Sequence, residues 1–512
     1  MPTIKKASRY HRNNTTCGKK RNNQTRDTLT PTCTSTNGSI SYETLAKYKK
    51  KFNSDHKNRI IQNAICTNSI NSIAQNREYM QSRNIHFTYL LDPKLVVSNQ
   101  GCSGRCWFFS VLNIMRHDLI RKYNLQYDFE FSGCYLEFYD KLEKCNNVIM
   151  KFINSNTIDS HDLAVQRILT NDCDDGGTWI TCKNLIKKYG IIPKSCFKES
   201  VHSFDTDDMN AIIGYKLKEY ISLIVAEPDI QKRYTIKNTI MDNIYKLLCV
   251  MLGTPPGPNE KIIWDYAKRV NLLEHMDREQ RRIKNKNYFE IFKTKKTMTI
   301  TPLLFYKKMI VNKLDEYVRF THDPRNPYNI YYENTSNDSV IEGEKQGYYN
   351  LPIEEIVKFV VASIKDNTPV EIDCDVKQYL HSDENLFDLQ CFDYDNLFGM
   401  EFNTMTKEAR LNVLESYPNH AVIIVGCDID GNGDDAEPVK FKIENSWGRT
   451  GSDTIDNIDC DNGYYTMSYE WFKKFVYNVV VHKKYVNRAT MCRYNKAIQT
   501  PQHLEENDIL FS

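Results

Sequence analysis

No stretch of this 512-residue chain holds the about 18 consecutive apolar residues that a membrane span requires. Its start, MPTIKKASRYHRNN, has no apolar core behind the positive charges, which argues against a secretory signal. The 16 cysteines lie scattered from Cys17 to Cys492 without a CxxC pair. A disulfide framework needs an oxidising compartment and usually a short chain. The thiols are therefore expected to be small buried hydrophobes in a reducing, cytoplasmic setting. Charge of one sign is also missing, because 68 basic residues face 65 acidic ones for a net +3. Residues 1–40 hold eight basic side chains against Asp27 alone, so they carry +7 and the rest of the chain −4. A slightly acidic body does not argue for nucleic-acid binding. The first 40 residues are nearly free of aromatics and read as a solvated, disordered tail. No internal repeat is visible.

What is present is enough chain for two or more lobes. Behind Cys106, apolar residues at Phe108, Val111, Leu112, Met115 and Leu119 predict a helix with one buried face. Further helices are expected over Gly133–Glu143 and Gly177–Tyr189. Residues 205–320 read as a helical block, from Met209–Ile224 and Ile236–Met251, and the second helix stops at Gly253. The segment Lys268–Lys286 is strongly basic and reads as a surface excursion. Later the pattern changes: Val370–Val376, Ala421–Val425 and Val439–Ile443 read as strands. Helices first and strands later give an α+β class.

Three pieces carry chemistry. Cys106 stands at a predicted helix start, where the partial positive charge of the helix end favours a thiolate. Gln100, six residues earlier, can fold back through Gly101 and Gly104, so that its amide and the Cys106 N–H together could bind an oxyanion. His420 opens one strand and Asn445 closes the next. If Gly426 pairs with Val439 in a hairpin, His420 falls opposite Asn445, where an amide oxygen would fix the imidazole tautomer and angle. Trp447 could shield that bond from water. The turn between the strands starts like a calcium loop, Asp428-x-Asp430-x-Asn432-Gly433, but its twelfth position is Val439 where Glu is needed, so it is a hairpin loop. Taken singly, a cysteine at a helix start or a His–Asn pair is more often structural. The combination of Gln–x5–Cys–Trp, a strand-opening His and Asn–Ser–Trp–Gly is rarely met by chance.

That combination resembles the papain-like cysteine peptidases, and within them the bleomycin hydrolase and aminopeptidase C family. Ser103-Gly104-Arg105-Cys106-Trp107, Phe131-Ser132-Gly133-Cys134-Tyr135-Leu136, Asp175-Gly176-Gly177-Thr178-Trp179 and Glu444-Asn445-Ser446-Trp447-Gly448 carry the likeness, which runs from about residue 45 to 490. It implies a two-lobed papain-like core with helical insertions. It also implies a cysteine-type aminopeptidase with catalytic Cys106, His420 and Asn445, Gln100 in the oxyanion hole and Trp447 in support. The expected divisions are a disordered basic tail (1–40), an N-terminal arm and helical lobe (41–204), a helical insertion (205–345), a strand-rich lobe (346–490) and a C-terminal arm (491–512). The arm would enter the cleft, and its end at Ser512 would hold the substrate's amino terminus. The resemblance implies peptide substrates, a homohexamer facing a central channel, and neither metal nor organic cofactor. Cys102, four residues before the nucleophile, and the ending Asn507–Ser512 depart from the family pattern. Two other readings stay open on sequence: an endopeptidase with an open cleft, and a nucleic-acid-binding protein on a peptidase scaffold.

Overall fold

The computed structural model describes residues 38–159, 161–170, 173–271, 291–334, 339–431, 437–448, 463–504 and 510. Most of the basic tail, the far part of the Lys268–Lys286 excursion and the chain end at Ser512 lie outside them. The chain divides into two compact units, one ending at Ile73 and the other spanning Ala74–Ser512. In the first, helices Tyr42–Ser54 and His56–Ile65 begin at Ser41 and Asp55, whose side chains accept from the backbone N–H groups of Thr44 and Lys57.

The second unit is α+β. Its helices come first: Cys106–Tyr123, Gly133–Phe152, Trp179–Tyr189, Asp207–Ala226 and Ile230–Leu252. A twelve-stranded mixed sheet follows. Its middle runs Tyr317–Thr321, Val476–His482, Val370–Cys374, His420–Asp430, Glu437–Glu444 and Tyr464–Ser468, each antiparallel to the next. Of these strands Tyr317–Thr321 is buried throughout and Val476–Val481 likewise, so both are sealed on both faces. The Cys106 helix packs against the His420 and Val370 strands, which joins the helical and strand-rich lobes through one continuous core.

The sequence pattern anticipates one buried face for that helix, yet every residue from Cys106 to Ile120 is buried. Its polar residues are inside because they have partners. Ser98 donates to Asn113, Arg116 donates to Ser98, and Arg116 and His117 both meet Glu444.

The helical block expected over residues 205–320, and the helical insertion over 205–345, need correcting. After two helices the chain forms an antiparallel hairpin, Ile262–Asn271 with Ile291–Ile300. Its first strand alternates, with Ile262 and Trp264 buried and Ile263 and Asp265 exposed. That period of two precedes the basic stretch and was hidden by it. Lys268 and Arg269 therefore lie on a strand, with Arg269 over the Tyr127 ring.

The Glu444 carboxylate is fully enclosed between Arg116 Nη2 at 2.5 Å and His117 Nε2 at 3.0 Å. Burial pushes this carboxyl up, but Arg116 and His117 outweigh it and hold the group below its ordinary range. Removing one partner of a buried pair leaves the other charge uncompensated, so Glu444→Ala should cost about 3–5 kcal/mol in urea unfolding. Glu384→Ala, at the exposed pair with Arg83, should cost about 1 kcal/mol or less. Because the Glu444 pKa is depressed, its contribution should be complete at neutral pH and lost as pH falls through the carboxylate range.

Candidate active site

The loop before Cys106 is held by the segment after Asn445. Gln100 N donates to Ser446 O at 2.8 Å, Gly448 N donates to Ser98 O at 3.0 Å, and Asn99 bridges to Trp447. Gly101 has φ +68°, and a Cβ there would stand 2.2 Å from the Phe204 carbonyl oxygen. This position requires glycine. Below the loop, Arg105 reaches Glu137 at 2.8 Å and Glu199 at 2.9 Å, and donates to the Gln100 carbonyl. Asp175 accepts from the Gly104 N–H and, through its backbone carbonyl, from the Trp107 indole.

The Gln100 side chain is buried and oriented at both ends. Its oxygen accepts from Ser446 Oγ at 2.7 Å, and its nitrogen donates to the Ser103 carbonyl at 2.6 Å. An amide nitrogen carries two hydrogens, which leaves one N–H beyond the Ser103 bond.

Cys106 is the first residue of its helix and is 9% exposed. Its thiol lies 4.0 Å from the Gly104 carbonyl, and among the described residues no hydrogen bond joins it to His420. The helix that it opens nevertheless packs against the strand that His420 opens. Burial pushes the thiol up to about 12, and the carboxyls of Asp373 and Glu371 add to the rise.

His420 opens its strand, and its Nε2 lies 2.9 Å from Asn445 Oδ1. The imidazole packs on Trp447 with ring centroids 4.9 Å apart, and Trp447 meets Tyr465 edge-on. Burial holds His420 down at about 4, against the opposing pull of Asn445. The structure thus brings His420, Asn445 and Trp447 together with Gln100 and Cys106 alongside.

The hairpin between His420–Asp430 and Glu437–Glu444 is present, but its expected register is not. Gly426 pairs with Lys442 rather than Val439, and irregularities interrupt the ladder at two places. His420 pairs instead with Cys374 on its other neighbour, and its side chain reaches Asn445 beyond the end of the ladder. The strand is buried on both faces from His420 to Cys427, so its continuous apolar run offers no alternation from which to count register. The flanks of the loop after Asp428 are paired strands, which agrees with a hairpin rather than a calcium loop.

Sequence reading passed over three charged side chains in the same sheet as His420: Arg319, Glu371 and Asp373. The alternation Val370-Glu371-Ile372-Asp373 suggests one apolar face and one solvated face. Both faces are covered in the folded chain, and Glu371 is 0% exposed. A buried Leu510 adds its backbone carbonyl, which accepts from Arg319 Nη2 at 3.2 Å.

A family model for the Peptidase C1-like family matches residues 39–510. Mouse bleomycin hydrolase is 32% identical, with 88% of this chain and 94% of that protein covered. Aminopeptidase C of Listeria monocytogenes is 30% identical over 89% of this chain and 96% of its own length. Among solved structures, PepW from Lactobacillus rhamnosis HN001 superposes with a TM-score of 0.80 at 28% identity, covering 93% of this chain and 99% of PepW. The chain belongs to the Peptidase C1-like family, has the papain-like two-lobed α+β fold with helical insertions, and is a cysteine-type peptidase. No helix among the described residues is long and apolar enough to cross a membrane.

The depressed pKa of His420 couples folding to pH. Between about 6.5 and 4 the unfolded chain takes up a proton that the native imidazole refuses, so stability should fall as pH falls across this window. Urea unfolding at pH 7.5 and 4.5 should therefore show wild type losing about 2–3 kcal/mol more than His420→Gln.

Proposed function

We propose that this chain is a thiol aminopeptidase, removing residues from the N-terminal end of peptides and related amides. Cys106 is the nucleophile, His420 the acid–base group, Asn445 its orienting partner and Gln100 an oxyanion donor. The observation that carries the reading is the His420 Nε2–Asn445 Oδ1 bond, with His420 packed on Trp447 and its strand packed against the helix that Cys106 opens. With Nε2 held by the amide oxygen, Nδ1 is the nitrogen left to exchange a proton with sulfur.

Burial disfavours either charge alone, so thiolate and imidazolium are favoured only as a pair. Rotation of the thiol toward His420 lets the proton pass, which makes thiolate and imidazolium together as a pair. The thiolate attacks the scissile carbonyl, and the oxyanion takes hydrogen bonds from the Cys106 N–H and the remaining Gln100 N–H. The imidazolium gives its proton to the leaving amine. Water, deprotonated by His420, then releases the acyl group and restores the thiol.

The aminopeptidase names of relatives support an N-terminal point of cleavage. In this reading the C-terminal arm limits the cleft and Ser512 supplies a carboxylate for the substrate's amino group. Leu510, buried with its carbonyl accepting from Arg319, ties the arm to the strand-rich lobe. A homohexameric assembly and a cytoplasmic location, both drawn from the family resemblance, complete the proposal.

Hydrolysis of a free aminoacyl fluorogenic amide beside its N-acetylated twin tests it. The free amide alone should be cleaved, and Cys106→Ala should abolish the activity. Cleavage of both would keep the nucleophile and refute the N-terminal limit, which is the endopeptidase reading. Cleavage of neither by folded, reduced protein would refute the peptidase mechanism. Asn445→Ala should lower kcat about 10²-fold with KM little changed. The acid limb of kcat/KM should lie below pH 6.5, because protonating His420 removes the acceptor for the thiol proton.

A further inference from the structure

On the helix Gly133–Phe152, Lys141 and Cys145 stand one turn apart on one face. That face meets the chain leading into Asp175. Lys141 Nζ donates to the carbonyls of Cys173 and Asp174 at 2.8 and 3.0 Å, and to Asp175 Oδ1 at 2.6 Å. Lys144 Nζ adds bonds to the carbonyls of Asp174 and Gly176. Beside these, Cys145 Sγ lies 3.5 Å from Cys173 Sγ, across 28 residues of sequence. Both thiols are free, and both are buried, Cys145 at 0% and Cys173 at 2% exposure.

The segment held in this way supports the candidate nucleophile. Asp175 Oδ2 accepts from the Gly104 N–H at 2.9 Å, and the Asp175 carbonyl accepts from the Trp107 indole at 2.6 Å. Cys173 is therefore two residues from a strut that braces both sides of Cys106.

Burial alone keeps a structural thiol inert. Two features set this pair apart. Sulfurs already in contact react intramolecularly, at an effective concentration that no small competing thiol matches. Closure to a disulfide asks them to approach by about 1.5 Å, to an S–S distance of about 2.05 Å. Cys173 also lies at an edge of the fold, because the side chain of the next residue, Asp174, is 56% exposed. A small oxidant reaches the sulfur through local opening of that edge.

We propose that Cys145 and Cys173 are a redox pair that closes to a disulfide and staples the Asp175 strut onto the helix. The co-reactant is a hydroperoxide. Cys173 sulfur attacks the O–O bond of hydrogen peroxide, becomes a sulfenic acid and releases one water. Cys145 sulfur then attacks the Cys173 sulfur, and the displaced hydroxyl leaves with the Cys145 proton as a second water. The two thiols give up two electrons and two protons, and the peroxide is reduced to two waters. A small dithiol reverses the bond by exchange. The proposal stands on the sulfur pair and does not depend on the peptidase mechanism.

The test uses the full-length Cys106→Ala protein, which removes the candidate nucleophile as a competing target of peroxide. Reduced protein is treated with hydrogen peroxide, its remaining thiols are blocked under denaturing conditions, and the peptides are mapped by tandem mass spectrometry. The expected product joins the Cys145 and Cys173 peptides and is two hydrogens lighter than the separate thiols. Cys182, which shares the Cys173 tryptic peptide, should still be blocked. Dithiothreitol should restore both thiols. The link removes freedom from the unfolded chain, so oxidised protein should melt a few degrees higher than reduced protein. Cys173→Ser should abolish both the link and that shift. Recovery of both thiols while exposed Cys66 and Cys492 are oxidised would overturn the proposal. So would sulfinic acid on either residue without a link, and a link without a rise in melting temperature would refute the staple. The map needs no second variant, so it decides alone if Cys173→Ser does not fold.

Discussion

The buried carboxylate of Glu444 is the constraint on which the candidate site depends. It lies immediately before Asn445 and binds Arg116 and His117 on the helix that begins at Cys106. One residue thereby ties the helix of the thiol to the strand of the amide. Arg116 continues the link to Ser98, whose carbonyl accepts from Gly448. The loop holding Gln100 is drawn into the same arrangement. A buried charge of this kind costs several kcal/mol of desolvation, so it persists only where its partners are held in good geometry. That requirement makes the relative placement of helix and strand discrete and leaves little room for sliding.

A rigid frame matters because the reacting groups themselves are electrically quiet. The surroundings of Cys106 and His420 favour a neutral thiol and a neutral imidazole, and Trp447 covers the His420–Asn445 bond. In such a site a charge pair gains from low dielectric if its two members form together, and is penalised if they form apart. Positions good to a fraction of an ångström are needed for that distinction to operate. The Glu444 clamp, the Gly101 approach to Phe204 and the Arg105–Glu137–Glu199 cluster supply them from three directions.

Much of this was legible from residue types and order. A cysteine at a helix start, a histidine opening a strand and Asn-Ser-Trp-Gly closing another pointed to one site, and the α+β order followed from periodicity. The features that were not legible share a physical cause. Polar and charged residues on the Cys106 helix read as a solvent face, although Arg116, His117 and Asp118 are buried with partners far along the chain. The same misreading hid Glu371 and Asp373. Register in the His420 hairpin escaped because the first strand is buried on both faces for most of its length and offers no alternation to count from. The Ile262–Ile300 hairpin was absorbed into its helical neighbours because basic residues crowd its far end.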